Sequence, residues 1–88
     1  MNRNSKRIKL VITGRENDYF LWTLVSWVLE LYNFLCEELG AILEVEVRKE
    51  NSDAPRLYVG EDLIFEGVPD EEGYLIEFLK HYVKSRKV

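Results

Sequence analysis

Glutamine is absent from this chain of 88 residues, and cysteine, histidine and methionine occur once each. A single cysteine, Cys36, excludes an intramolecular disulfide, a CxxC redox pair and any multi-cysteine metal site. A single histidine, His81, flanked by Lys80 and Tyr82, lacks the partners that a metal centre or a catalytic triad needs and reads as a surface residue. There is no excess of positive charge: 12 Lys and Arg stand against 16 Asp and Glu, for a net charge of −4. That balance argues against a general nucleic-acid binder, which gains affinity by neutralising phosphates. Nor is there a long apolar run. The most apolar segment, Tyr19 to Leu39, is interrupted by Glu30, Glu37 and Glu38, so no membrane span is expected. The N-terminus lacks the apolar h-region of a signal peptide before charge appears, which points to a cytoplasmic protein. Missing glutamine beside plentiful Glu, Lys and Arg fits a thermophilic source.

What is present describes one folded domain over residues 1–88, with 1–6 loose. Hydrophobic residues make up 47% and charged residues 32%, a balance that disfavours global disorder. A chain this short buries only about 60–65% of its unfolded surface, so it depends on good packing or on a partner. Two Trp, five Tyr and four Phe help, because each buried ring removes about 150–250 Å² from water.

Ile8, Leu10 and Ile12 alternate with Lys9, Val11 and Thr13, the period of a strand, and Gly14 ends it. Gly14-Arg15-Glu16-Asn17-Asp18 reads as a turn, with Asn17 or Asp18 an N-cap for the helix that follows. That helix is expected to run from about Tyr19 to Leu39 and to close at Gly40. Leu21, Leu24, Val25, Val28, Tyr32, Leu35, Cys36 and Leu39 form one stripe on it, and Trp27, Leu31 and Phe34 a second. A helix apolar around roughly two thirds of its girth exceeds what one sheet face covers. It needs the other helix or a second subunit on its flank, and Trp22, Trp27 and Phe34 are the residues for a dimer contact. Ala41 to Arg48 alternates cleanly, with Leu43, Val45 and Val47 on the packed face and Glu44, Glu46 and Arg48 on the wet one.

After the polar connection Glu50–Asp53, Pro55 opens a hairpin that turns at Gly60-Glu61-Asp62, with Leu57, Val59, Leu63 and Phe65 expected inward. Asp70, Glu71 and Glu72 are expected in the first turn of a last helix, where negative charge complements the dipole. Tyr74, Leu75, Phe78, Leu79, Tyr82 and Val83 form its apolar stripe. The expected architecture is α/β in two layers, β-α-β-β-β-α, with two helices on one face of a single sheet. Its first two strands are parallel through a right-handed crossover.

The order of these elements, and above all Ala54-Pro55-Arg56-Leu57-Tyr58-Val59-Gly60-Glu61-Asp62-Leu63-Ile64-Phe65-Glu66-Gly67, resembles the thioredoxin/glutaredoxin-like superfamily. The resemblance implies a four-stranded mixed sheet in the order 2-1-3-4, with Pro55 as the family's cis-proline at the start of the third core strand. Two departures stand out. The helix usual between the second and third core strands is replaced by Glu50–Asp53. The segment where the family carries its redox cysteines reads Gly14-Arg15-Glu16-Asn17-Asp18-Tyr19-Phe20 and holds none. Dithiol chemistry needs a low-pKa thiolate and a resolving thiol, so the resemblance carries the fold and not the activity.

The remaining candidates are modest. Cys36 sits on the apolar stripe near a helix C-terminus, a place that makes a thiol inert. Glu44 and Glu46 share the solvent face of a strand and are suited to cross-strand ion pairs with Lys9 and Arg48. Arg15 and Asn17 precede a helix N-terminus, where backbone N–H groups can hold an anion. One glycine and no Lys-Ser/Thr exclude a nucleotide loop. In the implied fold this corner lies beside Pro55, so Arg15, Asn17 and Pro55 form the expected ligand or peptide site.

The expected function is therefore a non-catalytic interaction module that binds another protein or a second copy of itself, with neither cofactor nor metal. A thiol redox protein working through Cys36 alone is the alternative. A weaker one is a small nucleic-acid-associated protein using the basic termini (Arg3, Lys6, Arg7 and Lys9; Lys80, Lys84, Arg86 and Lys87).

Overall fold

The central strand β1 (Lys6–Gly14) organises the sheet. It pairs in parallel with β2 (Ala41–Lys49) on one side and antiparallel with β3 (Arg56–Val59) on the other. β4 (Asp62–Glu66) pairs antiparallel with β3 and completes a four-stranded sheet in the order β2-β1-β3-β4. The structure is a computed structural model; it describes the backbone of residues 6–86 and the side chains of 6–83. The expected sheet and strand order are thus present, and Arg3 and Lys87 lie outside the described residues.

Three helices cover one face: α1 (Tyr19–Glu30), α2 (Tyr32–Leu39) and α3 (Gly73–Arg86). The inward residues of the strands, Leu10, Ile12, Leu43, Leu57 and Val59, join Leu21, Leu24, Val28, Leu35, Leu75 and Leu79 of the helices in one buried core. Each leucine that passes fully from water into such a core contributes about 1.5–3 kcal/mol. Phe65 of β4 stacks on Phe78 of α3 with ring centroids 4.9 Å apart, and Tyr82 of α3 donates its hydroxyl to the Asp62 carboxylate. These two contacts fix the last helix to the hairpin.

The single helix expected over Tyr19–Leu39 is two helices, bent by 61° at Leu31. Leu31 takes φ −91° and ψ 4°, in the bridge region between helix and strand. No proline or glycine stands there. Tertiary packing decides the bend: α1 lies along β1, while α2 turns away to reach β2 and α3. Tyr32, the first residue of α2, donates its hydroxyl to Leu43 O of β2 at 2.7 Å. Gly40 then closes α2 in the left-handed region, at φ 62°, a conformation that costs a residue with a Cβ.

Three further expectations need correction. Asp70, Glu71 and Glu72 precede α3 instead of forming its first turn, because the helix begins at Gly73. A bulge in β4 puts Leu57 opposite Phe65 but Tyr58 opposite Leu63, which turns Leu63 outward, 51% exposed. The Ala54–Pro55 bond is trans, since the described residues contain no cis peptide bond, whereas the family resemblance implies a cis bond at that point.

Candidate functional site

The described surface includes three concave regions of note, and the sequence pointed to two of them. The first is the corner before α1. Asp18 is its N-cap, accepting the Phe20 amide at 2.9 Å. Arg15 and Asn17 line a shallow depression with Lys49, Glu50 and Asn51. Ion pairs cross it, from Arg15 to Asp53 at 3.8 Å and from Lys49 to Glu16 at 3.3 Å. The fold therefore brings Arg15 and Asn17 together as expected. Pro55 is buried and does not line this depression, so the expected three-residue site is divided.

The second lies on the face of α1 turned away from the sheet. With Leu21, Leu24, Val25 and Val28 buried, the 100° helical step sends Tyr19, Trp22, Thr23, Ser26 and Trp27 outward. These residues line a groove of about 330 Å³. Tyr19 is 77% and Phe20 58% exposed, and the two rings meet edge to face at 5.8 Å. Trp22 is held in place by its indole N–H, which donates to Glu16 O at 2.7 Å. Trp27 leans back onto the core. Phe34, expected in the same contact, lies beyond the 61° bend on α2, exposed but outside the groove.

The third region was missed. The face of the sheet opposite the helices holds a cleft of about 500 Å³ lined by Lys9, Val11, Thr13, Arg48, Glu50, Tyr58, Gly60 and Glu61. Strand alternation puts Lys9, Val11 and Thr13 on this face, yet Val11 and Thr13 are only 3% and 1% exposed. The ladder explains their burial. Val11 stands between Glu46 of β2 and Tyr58 of β3, and Thr13 between Arg48 and Arg56. Long side chains on both neighbouring strands close over the central one. The signal available in the sequence was the Lys9-x-Val11-x-Thr13 alternation itself, with two residues of this face too small to reach past their neighbours.

Electrostatics on this face are organised around Glu46. It accepts from Arg48 Nε at 2.7 Å and meets Lys9 Nζ at 2.9 Å. The Arg48 hydrogen bond, and then that of Lys9, hold its carboxyl down at about 2. Arg7 pairs with Glu44 at 2.9 Å and Arg56 with Glu66 at 3.3 Å. Of the expected cross-strand pairs, Glu46 with Lys9 is present; Glu44 pairs instead with Arg7, and Arg48 bonds Glu46 along their own strand. The hydroxyl of Thr13 is different: it is buried and has no hydrogen-bond partner among the described residues.

Cys36 is half-buried against the core, beside Tyr32, whose phenol is pushed up by burial and further by Cys36. His81 is exposed on α3. Among the described residues no cluster of His, Cys, Asp and Glu is arranged to hold a metal, and no single helix is long and apolar enough to cross a membrane. Comparison with family models, with curated proteins and with solved structures finds no match to this chain.

Proposed function

We propose that the chain is a non-catalytic, thioredoxin-like interaction module of the cytoplasm that works by self-association through the outer face of α1. The aromatic surface built by Tyr19, Phe20 and Trp22 carries this reading. Three large rings stand at the surface within the first turn of α1, and one of them is fixed by a hydrogen bond to Glu16 O. Clustered exposed apolar surface of this kind marks interaction sites on soluble proteins, and aromatic anchors dominate the energy of interfaces. A two-fold dimer would set the same groove against itself. It would also supply the second flank that α1 lacks, and extra buried area benefits a core this small.

Light scattering across a dilution series tests the reading. Wild-type chain is expected to be a dimer that dissociates on dilution, and Tyr19→Ser/Phe20→Ser a monomer with unchanged circular dichroism. A wild-type monomer at every concentration removes self-association, and a variant that dimerises as before removes the α1 face.

A further inference from the structure

The cleft on the open face of the sheet lies apart from the α1 surface and has the features of a ligand site. Its volume of about 500 Å³ is within the ~300–1,000 Å³ of small-molecule sites. Thr13, 1% exposed, is among its lining residues, and the Thr13 hydroxyl has no hydrogen-bond partner among the described residues. A buried hydroxyl left unpaired is costly, and such a group in the lining of a cleft is satisfied when a ligand brings a polar atom to it.

The lining charges indicate what that ligand carries. Arg48 stands opposite Thr13 in the β1–β2 ladder. Its Nε donates to Glu46, and the charge of Glu50 acts on the same guanidinium; among the described residues its Nη groups make no hydrogen bond or ion pair. Glu50 is anchored at the same end, its amide donating to Gly14 O at 2.7 Å. At the other end Gly60 donates to Lys9 O at 2.8 Å, which brings Glu61 of the hairpin turn beside Lys9. The lining thus presents Lys9 and Arg48 against Glu50 and Glu61. A bare anion would meet two carboxylates, and a bare cation two bases.

We infer that this cleft binds a small zwitterion of the α-amino-acid type with an apolar side chain. The ligand carboxylate takes the Nη groups of Arg48 and the Thr13 hydroxyl, and its ammonium faces Glu50. Its side chain lies over Val11 and against the Tyr58 ring, toward Lys9. Planar guanidinium and carboxylate are matched in shape, and such charge-assisted bonds are stronger than neutral ones. Arg48 keeps its Nε on Glu46 and offers its Nη groups to the carboxylate, while Lys9 remains on Glu46.

Titration of the full chain followed by amide resonances tests this with three probes. They are L-phenylalanine, 3-phenylpropionate (no ammonium) and phenethylamine (no carboxylate). Phenylalanine is expected to give saturable shifts at Thr13, Arg48 and Tyr58, with affinity at least about tenfold above either half-ligand. Thr13→Val and Arg48→Gln are expected to weaken it about tenfold or more, and Glu50→Gln to remove its advantage over 3-phenylpropionate. Thr13→Val keeps the side-chain shape, so loss of binding with an unchanged amide spectrum is not loss of fold. Equal affinity for all three probes, no saturable shift at Thr13, or undiminished binding in Thr13→Val together with Arg48→Gln would overturn the inference.

Discussion

Glu46 and Arg48, two residues apart on the edge strand β2, are joined side chain to side chain at 2.7 Å, and Lys9 of β1 reaches the same carboxylate at 2.9 Å. One acid thereby ties the outermost strand to the central one on a face that no helix covers. Its carboxyl is depressed from 4.5 to about 2. A depressed carboxyl stabilises the fold above the unfolded-state value, and that contribution is lost as pH falls through the folded-state value. The window is therefore about pH 4.5 down to 2. Denaturant midpoints measured through that range should fall for the wild type and fall less steeply for Glu46→Gln. Identical slopes would mean that the triad contributes nothing.

Glu72 has the opposite sign. Its carboxyl is raised, first by a hydrogen bond with Glu30, then by burial and by the Glu30 charge. Two carboxylates that meet favour a shared proton. A raised carboxyl supports the fold below the unfolded-state value, and the support is lost as pH climbs through the folded-state value. At neutral pH the pair therefore works against the contact between the end of α1 and the approach to α3. Glu72→Gln should unfold at higher denaturant than the wild type at pH 7, with the difference vanishing near pH 4. A variant less stable at both pH values would show that Glu72 is held by something other than Glu30.

Helix α1 separates core from surface within two turns. Leu24 is fully buried and Leu29 is 57% exposed. Leu24→Ala removes transfer energy and leaves a cavity, a loss of about 2–5 kcal/mol, enough to threaten the fold of a marginal domain. Leu29→Ala should stay within about 0.5 kcal/mol. Equilibrium unfolding of the two variants checks both, and similar losses would mean that Leu29 is covered in solution.

The sheet was legible because its signals are local. Alternation marked β1 and β2, the Gly60 turn and strand pattern marked the hairpin, and Gly40 marked the end of α2. Three features were not legible, and each depends on how one element pairs with or packs on another. The bend at Leu31 has no breaker in the sequence and follows from α2 reaching toward β2 and α3. The outward turn of Leu63 comes from a bulge opposite Leu57 and Tyr58. The burial of Thr13 requires Arg48 and Arg56, 35 and 43 positions later in the chain, to flank it across the ladder. The cleft was hidden in the sequence for that same reason: its lining comes from β1, β2 and the β3–β4 hairpin.

Thr13 gives the last test, independent of any ligand. Its hydroxyl is buried in the centre of the sheet with no partner among the described residues, and an unpaired buried group of this kind costs about 1–3 kcal/mol. Valine has the same branched shape and favours strands. It removes the hydroxyl without opening a cavity, so Thr13→Val should gain about 1 kcal/mol. For a domain of this size that is about 4–8 °C in Tm. A strand residue that lowers stability where an isosteric one would raise it is kept for something other than folding, which is what a ligand-binding hydroxyl would require. Thermal unfolding of the two proteins side by side decides the point. A lower Tm in Thr13→Val would mean that the hydroxyl is paired in solution, and the cleft would then have lost its unpaired hydroxyl.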